Sequence, residues 1–523
     1  MSMFMFPFPG ETTSFLSKMK HSLFLLISFF IVTLFLFKWL NRTSRKLPPS
    51  PPKLPIIGNL HQLGFLPHRS LKLLAEKYGP LMLLHLGSKP TLIISSPQVA
   101  KMVLKTHDLD FANRPKLKFI GRILYNFKNM GFSPYGEYWR QVRSICVSQL
   151  LSNKSIQSFR SVREEEIALL MEKVTESCVS RSSFNISEML ATLANNIISR
   201  IVIGKRLSGE KSGSNFKKMY EEFSEILGSF NVGDYTTWLG WINHINGLEA
   251  KVNRIAKEID EYFENIVEGG MERREEALRY NGERDEFKGQ HNFLDVLLEL
   301  QSENTSGYTL HRDSIKAIIF DMFVGGTDTV AALLEWAICE LVINKDAMTK
   351  LRDEVRRFSI SKLNCITEDD LKKLPYLKAV IKETLRMHPP GPLLLPRESR
   401  NAVKIMGYDI SSGTQVLINA FAIGRDSTLW QNPDAFSPDR FLNSSIDVKG
   451  HNFELIPFGH GRRSCPGMVL ALATAEVTLA NLMLKFNLGL GGGVRSEDLD
   501  MNDAPGVVAK RKIPLILEAT PPD

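Results

Sequence analysis

One cysteine of this chain lies in a basic, glycine-rich loop at residues 457–467. The loop contains Arg462, Arg463 and Cys465, and an apolar run that predicts a helix begins at Met468. A helix N-terminus and nearby cations lower the pKa of a thiol, and the resulting thiolate is a soft ligand that suits iron. The loop therefore predicts that Cys465 is the thiolate ligand of a haem, an arrangement used in oxygen activation. The alternative is a structural cysteine in a glycine-rich turn.

A second group of polar residues interrupts a long apolar helix predicted over 313–343. Gly325 and Gly326 are followed by Asp328 and Thr329. A mid-helix glycine costs about 1 kcal/mol relative to alanine, so this local violation indicates a function. The glycines permit a distortion that makes room for dioxygen or water, while the hydroxyl and carboxyl are parts of a proton relay. The alternative is a helix-packing glycine pair with a threonine bonded to its own helix.

Two further pairs have helical spacing. Trp139 and Arg143, at i and i+4, present an indole N–H and a guanidinium on one face, which suits a carboxylate. Glu383 and Arg386, at i and i+3, share a face and can form a two-bond ion pair. By itself the second pair carries almost no information, and an ordinary amphipathic surface is the alternative for the first.

The composition describes a globular, core-forming protein. Apolar residues make up 43% of the 523 residues and charged residues 23%. The net charge of +8 is modest and scattered, so we expect no nucleic-acid partner. The five cysteines are widely spaced and contain no CxxC pair, which argues against a disulfide scaffold or a zinc site and favours a reducing compartment.

The N-terminal region predicts a membrane anchor. After a lead of residues 1–21, the nearly uninterrupted apolar segment 22–40 is close to the roughly 20 residues that cross a bilayer. Basic residues are more frequent after the segment than before it, so the remainder should face the cytosol. A basic, proline-rich linker at 41–55 then precedes a catalytic domain at 56–523. A cleaved signal peptide is the alternative, but the segment ends without small residues.

The periodicity of the body predicts one large, mainly α domain with a small β portion. We expect short strands at 91–94 and 415–418, and an exposed connection, without an apolar face, at 268–290. The predicted helices include 159–176, 187–203, 247–267, 313–343, 346–357 and 376–387.

The loop matches the haem-binding signature of the cytochrome P-450 family, Phe-x-x-Gly-x-Arg-x-Cys-x-Gly, at Phe458, Gly461, Arg463, Cys465 and Gly467. From about Pro48 onward the chain resembles the plant A-type group, especially its seventy-one family. The segments that carry this resemblance are 54–62, 111–115 and 135–140, and a weaker similarity to furanocoumarin-forming members such as psoralen synthase lies in 407–410 and 442–458.

The resemblance implies the cytochrome P-450 fold with one N-terminal transmembrane helix, and heme b (iron protoporphyrin IX) as cofactor. It assigns haem contacts, including propionate contacts for the arginines and the tryptophan, to Phe458, Gly467, Arg463, Trp139, Arg143, Arg114, Arg397, Gly325 and Gly326. It implies a buried ionic triad of Glu383, Arg386 and Arg440 that shapes the cysteine loop. It places apolar substrate contacts at Ile120, Phe320, Phe323, Leu394 and Val507.

The implied function is insertion of one oxygen atom from O2 into a hydrophobic plant specialised metabolite. Electrons come from NADPH through a flavin reductase, with cytochrome b5 as a further candidate donor. Asp328 and Thr329 would deliver protons, although Val330 stands where plant members usually carry a second hydroxyl. The implied location is the endoplasmic reticulum membrane, single-pass, in contact with lipid. The rivals are a haem-thiolate enzyme that dehydrates or rearranges its substrate, and a tethered binding protein without catalysis.

Overall fold

The computed structural model describes residues 45–207, 211–228, 231–281, 291–303, 310–359 and 365–522, together with positions 19, 22–26, 28–30, 32 and 33. The α-helices of the body are α1 (Pro67–Tyr78), α2 (Pro97–Lys101), α3 (Lys118–Ile123), α4 (Glu137–Ile145), α5 (Asn153–Ser158), α6 (Arg160–Val179), α7 (Ile186–Ile203), α8 (Lys211–Gly228), α9 (Val232–Tyr235), α10 (Ile242–Ile245), α11 (Leu248–Asn281), α12 (Phe293–Glu303), α13 (Arg312–Gly326), α14 (Asp328–Ile343), α15 (Lys345–Ser359), α16 (Pro375–Met387), α17 (Ala420–Ile423) and α18 (Met468–Lys485).

The strands form three small sheets. They are β1 (Leu81–Leu86), β2 (Lys89–Ile94), β3 (Phe184–Asn185), β4 (Arg397–Glu398), β5 (Val403–Ile405), β6 (Tyr408–Ile410), β7 (Gln415–Ile418), β8 (Asn487–Leu490) and β9 (Ile516–Thr520). The largest sheet has the order β1-β2-β7-β4, in which β2 and β7 are parallel and pair Thr91 with Gln415. The other two have the orders β3-β9-β8 and β5-β6. The mainly helical architecture with a small β portion agrees with the sequence prediction.

Helices α13 and α14 form the centre of the core. They contact α7, and α14 also packs on α16 and α18. Nearly every side chain of α14 is buried, because the helix is surrounded on all sides by other helices. Among the described residues three segments are long and apolar enough to cross a membrane, Ile186–Ile203, Arg312–Ile343 and Met468–Lys485. More than half of each is buried within the protein, which identifies them as core helices.

The predicted exposed connection at 268–290 is wrong over its first half. Helix α11 continues to Asn281, and residues 282–290 lie outside the described part of the chain. Val267 is buried, and a side chain at Gly270 would lie 2.6 Å from a methyl carbon of Leu294. Through this contact with α12, one side of α11 is buried, although the charge-rich sequence shows no apolar face. Ion pairs such as Arg279–Glu275 lie on the exposed side.

The N-terminal region is described only in part. Positions 22–26 and 28–30 are helical, and apolar side chains there such as Phe24 are exposed. The rest of the predicted lead and anchor, and residues 41–44, lie outside the described residues, so the membrane span stays a prediction. The later part of the linker packs on the body, where Leu83 N–H donates to Pro49 O (2.9 Å) and Asp409 N–H to Lys46 O (2.7 Å).

Candidate functional site

The cysteine loop folds as a short 3-10 helix, Gly461–Arg463, that leads into Cys465. The backbone N–H of Cys465 donates to Phe458 O (2.9 Å), which closes the loop. Gly461 has φ +74°, and a side chain there would lie 2.5 Å from a carboxylate oxygen of Asp108. Only glycine fits this conformation and this approach without strain.

The thiol environment of Cys465 differs from the sequence prediction. Cys465 retains accessible surface, yet the surrounding protein desolvates the thiol and raises its pKa. The N–H groups of Gly467 and Met468, at the start of α18, and the charge of Arg143 oppose this effect and lower the pKa. The N-terminus of α18 therefore lowers the pKa of the thiol as predicted, but desolvation outweighs this effect. The cation that also lowers the pKa is Arg143 from α4. A metal bound to the sulfur deprotonates a thiol outright.

Four arginines gather beside this loop from four parts of the chain. This arginine cluster consists of Arg114, Arg143, Arg397 and Arg463. Backbone carbonyls are the principal partners of the buried members. Arg114 donates to Leu395 O and Pro396 O (both 2.7 Å).

The other members have similar partners. Arg463 donates from Nε to Ala112 O (2.8 Å), and its guanidinium lies 4.1 Å from the centre of the Trp139 ring. Arg397 donates to His460 O (2.9 Å). Arg143 is half-buried, and its Nη2 donates to Ser464 Oγ (3.4 Å).

The charge of the arginine cluster is poorly neutralised by the protein. Burial, followed by repulsion from the other three arginines, holds the pKa of Arg114 well below its usual range. Burial likewise lowers the pKa of Arg463 to about 9. The described carboxylate nearest the cluster is Asp108, 3.5 Å from Arg397. A group with two carboxylates, such as heme b, fits this site because it would supply the missing negative charge.

Trp139 is placed differently from the prediction. Its indole N–H donates to Met130 O (3.1 Å) and so does not point to an external carboxylate. Phe458 lies at the closure of the cysteine loop and is half-buried. A side chain at Gly467 would lie 3.9 Å from the sulfur of Cys465, which is ordinary contact distance.

The predicted distortion of the long helix is present at Thr327. Helix α13 ends at Gly326, Thr327 has φ −89° and ψ −71°, and α14 begins at the next residue. The two glycines behave differently. Gly325 is exposed and a side chain there would meet nothing within 4 Å, whereas one at Gly326 would lie 2.4 Å from a methyl carbon of Ile198. Gly325 therefore borders open space, and Gly326 is a packing residue against α7.

Thr329 and Asp328 have different surroundings. The Thr329 hydroxyl donates to Gly325 O (2.6 Å) across the break between α13 and α14. Asp328 is buried and forms an ion pair with Lys510. It also accepts a hydrogen bond from Tyr220, and its negative charge, after burial, raises the pKa of that phenol. Sequence reasoning missed Lys510 and Tyr220 because neither belongs to a motif and both approach from distant parts of the chain.

The predicted triad residues meet in the core. Glu383 and Arg386 are fully buried and form two hydrogen bonds, Nε to Oε2 (2.7 Å) and Nη2 to Oε1 (2.8 Å). Arg440 donates from Nε to Glu383 Oε1 (3.1 Å), and Ser437 N–H reaches the same oxygen (2.8 Å). The remaining arginine donors bind the backbone carbonyls of Gly424 and of residues 431–435. These contacts fix the segment before the cysteine loop rather than the loop itself.

The predicted substrate contacts separate into two groups. Phe320 and Phe323 are fully buried and pack on Phe263, with ring centres 5.4 Å and 6.0 Å from its ring. They have no accessible surface and lie in a core layer in this conformation, so their contact with a substrate stays a prediction. Ile120 is also buried.

Leu394 and Val507 keep accessible surface. Leu394 has φ +52°, a strained conformation for a leucine, and lies 3.9 Å from the side-chain position of Gly459 in the cysteine loop. These two residues remain candidates for contact with a substrate.

Within the described ranges, no group of three or more His, Cys, Asp or Glu side chains could hold a metal ion. A single cysteine beside an arginine cluster, in the loop at 457–467, is instead compatible with a haem protein that has one thiolate ligand. The sequence model of the family named cytochrome P-450 matches residues 48–517. The chain belongs to the cytochrome P-450 family.

The relatives place the chain in the plant seventy-one family. A tabersonine/lochnericine 19-hydroxylase from Catharanthus roseus is 51% identical over 97% of this chain and 99% of the relative. A norfluorocurarine oxidase from Strychnos is 48% identical over 95% of this chain and 97% of the relative. Cytochrome P-450 71A4 from Solanum melongena is 51% identical over 91% of this chain and 92% of the relative.

Membership confirms the predicted family, the monooxygenase class and the cofactor. Heme b supplies the oxygen-activating chemistry, with O2 and with electrons from NADPH passed through a reductase. In this chain Cys465 would ligate the iron, and the arginine cluster would hold the propionates.

Proposed function

We propose that this cytochrome P-450 inserts one oxygen atom from O2 into a hydrophobic plant specialised metabolite. The observation that carries the proposal is the interruption of the long apolar helix between Gly325 and Thr329, where Gly325 borders open space. The same chain contains the Cys465 loop. A flavin reductase is the electron donor, and cytochrome b5 is proposed as a second donor. The relatives named as a hydroxylase and an oxidase support the oxidative class.

The proposed role of this chain's residues is to move protons. Asp328 is held between Lys510 and Tyr220, and Lys510 is partly exposed, so a proton has a path from solvent to the carboxylate. Thr329 continues that path inward, and Val330 offers no hydroxyl. Thr327 is buried, and its hydroxyl has no hydrogen-bond partner within the described residues, so it is a further candidate for the relay.

The substrate class rests on the family and on the apolar character of the candidate contacts. Leu394 and Val507 offer apolar surface near the cysteine loop and the C-terminal loop. Tabersonine, lochnericine and norfluorocurarine appear in the names of relatives that cover this chain nearly end to end, so these three compounds are the first substrates to try. Coumarins, terpenoids and aldoximes complete the panel.

Dehydration or rearrangement without net oxygen insertion is the second candidate. It is favoured by the engagement of the Thr329 hydroxyl with Gly325 O and by the apolar Val330, which together leave fewer free hydroxyls near the break. An aldoxime is an example of a substrate for this chemistry.

The experiment is turnover of the panel by membranes that contain this protein and a reductase, under oxygen-18 gas. Insertion predicts a product with one heavy oxygen and dependence on NADPH. A product without the label, or turnover without NADPH, would overturn the proposal in favour of the second candidate. Cys465→Ala should abolish the reaction and the red-shifted Soret band of the reduced carbon monoxide complex, while Cys146→Ala, at a buried core cysteine, should retain both.

Thr329→Ala tests the relay. The variant should bind haem and consume NADPH, but less of the reducing power should reach product and more should appear as hydrogen peroxide, because proton delivery is impaired. The measurement is product per NADPH consumed, with peroxide assayed in parallel. Unchanged coupling would mean that Thr329 only closes its helix turn.

We also propose single-pass attachment to the endoplasmic reticulum membrane, with the catalytic domain in the cytosol. Besides the segment 22–40, an apolar surface is formed by Ile56, Ile57, Trp238 and Trp241, all exposed. The turn between β1 and β2 joins the two parts of this surface, since Gly87 N–H donates to Ile57 O (3.1 Å) and Ser88 N–H to Tyr235 O (2.8 Å). Tryptophan favours the membrane interface.

Deletion of residues 1–40 tests this arrangement. The truncated protein should bind haem normally and attach to lipid vesicles more weakly, with the residual attachment removed by Trp238→Ser and Trp241→Ser. Loss of haem on deletion would mean that the segment is part of the fold. Complete release by the deletion alone would exclude the apolar surface as a second attachment.

A further inference from the structure

Asp321 on α13 is a carboxylate that the proton relay does not use. It lies two helical turns before Thr329 and points to the segment 129–131. Its Oδ1 accepts from Asn129 Nδ2 (2.8 Å) and its Oδ2 from Gly131 N–H (2.9 Å). The N–H of Met130 contributes a third hydrogen bond.

The same segment receives cationic donors on its other side. Met130 O accepts from the Trp139 indole (3.1 Å) and from Arg463 Nη1 (3.3 Å). Gly131 O accepts from Arg114 Nε (3.0 Å). The backbone between α3 and α4 therefore lies between an acidic side chain and members of the arginine cluster.

One peptide unit connects the two charges directly. The Met130 carbonyl, which Arg463 and Trp139 contact, belongs to the same planar peptide as the Gly131 N–H, which Asp321 accepts. Hydrogen bonds in such a chain polarise one another, so a negative charge at one end strengthens the carbonyl as an acceptor at the other. The carboxylate thus acts on the arginine cluster without touching it.

The surroundings of Asp321 are narrow and apolar enough to affect its charge. A side chain at Gly131 would lie 3.3 Å from Asn129 Nδ2, which is tight, and 3.6 Å from Asp321 Oδ1, which is ordinary contact. Burial, although opposed by the three hydrogen bonds, raises the pKa of Asp321 to about 6. The carboxyl group of Asp321 therefore remains mostly ionised at neutral pH. A carboxylate that stays charged despite its burial is a candidate for a functional role.

We propose that Asp321 is a positioning residue for the haem carboxylates. Through the Met130–Gly131 peptide it orients Arg463, Arg114 and Trp139 and supplies a remote counter-charge to the arginine cluster. It also joins α13, the helix that ends just before Thr329, to the part of the site that would hold the cofactor. The inference rests on haem binding by the family and not on the proposed substrate oxidation, and its readouts need no substrate.

The first test compares Asp321→Asn with Glu335→Gln in the full-length holoprotein. Glu335 is a matched control, because it is a buried carboxylate on the next helix that pairs with Ser187 and Arg511 away from the cluster. Haem transfer to an apo-globin acceptor should be about tenfold to a hundredfold faster in Asp321→Asn, the range expected when hydrogen bonds to a charged group are lost. Glu335→Gln should stay near the wild-type rate, and equal rates for the two variants would overturn the proposal.

The reduction potential separates a charge effect from a packing effect. Removal of a negative charge near the cofactor favours the reduced form, so the midpoint potential of Asp321→Asn should shift to a more positive value, and Asp321→Glu should restore it. A merely structural role predicts no such shift and no recovery by glutamate.

A double-mutant cycle tests the peptide connection. Trp139→Phe removes the indole donor to Met130 O, so its effect on haem release should be smaller in the Asp321→Asn background than in the wild type. Strict additivity would contradict a shared peptide. If Asp321→Asn does not accumulate, Asp321→Ser is the second variant, because it removes the same charge with a smaller side chain, and wild-type haem release in that variant would also overturn the inference.

Discussion

Two groups of buried arginines in this protein differ in the partners that neutralise their charge. Arg386 in the triad is paired with Glu383 by two hydrogen bonds, and Arg440 shares the same carboxylate. The arginine cluster beside Cys465 instead donates mainly to backbone carbonyls. Burial lowers the pKa values of its members, and repulsion from the other arginines adds to this effect at Arg114 and Arg463. The first group has its own carboxylate within the chain, whereas the only described carboxylate paired with the second is Asp108, 3.5 Å from Arg397.

The difference shows how to separate structural from ligand-binding arginines. A buried guanidinium that has its own carboxylate stabilises the fold, since loss of either partner leaves an unpaired charge. A buried guanidinium that donates only to backbone carbonyls destabilises the fold, and binding of an anionic group can offset this effect. Both groups are built from arginines that look equivalent in the sequence.

Glu383→Ala should produce the largest effect. It leaves two arginines without their carboxylate, at a cost of about 3–5 kcal/mol, so little folded, haem-containing protein should accumulate. The measurement is the carbon monoxide difference spectrum per unit of expressed chain, with the exposed Glu497→Ala as control. Full haem content with altered turnover alone would contradict a structural role for Glu383. The triad would then no longer differ in function from the arginine cluster.

Arg143→Gln should have a smaller and different effect. The side chain makes one described hydrogen bond, so the haem-free protein should keep its thermal stability and even gain from weaker repulsion. Haem should dissociate faster, in line with loss of about 1.5–3 kcal/mol of hydrogen bonding to a charged group. A fall in stability equal to that of Glu383→Ala would show that both groups are structural.

The smallest expected effect is a dependence on alkaline pH. Burial lowers the pKa of Arg463 to about 9 in the haem-free fold, below its value in the unfolded chain. Above pH 9 the folded form therefore binds fewer protons than the unfolded form, and stability of the haem-free fold should rise with pH in that window.

Binding of a carboxylate requires the charged guanidinium, so haem retention should weaken as pH rises through about 9. Haem dissociation rates measured on either side of that value check this, with Arg463→Gln as the variant that should lack the step. A flat profile in the wild type would mean that the anion keeps Arg463 charged throughout.

The sequence alone predicted several helices and strands near their observed positions, and it singled out Cys465 as the candidate ligand. Strand 415–418 was predicted at its observed position, and the break near Gly325 was expected from the cost of glycine in a helix. Cys465 was recognisable because its loop concentrates glycines and arginines in a few consecutive residues. Such features are local, and local sequence determines turn geometry and helix limits directly.

The electrostatics of the site were decided by tertiary structure. The sequence pointed to Arg462 and Arg463 as the cations near the thiol, but Arg143 from α4 is the one that acts on it. Phe320 and Phe323 are apolar residues of the kind that line a substrate pocket. Only the packing of α11 on α13 shows that they are buried in the core in this structure. Lys510, Tyr220 and Asp321 have no motif at all. Their roles depend on distances between segments far apart in the chain, and a charge takes its pKa from everything that surrounds it in space.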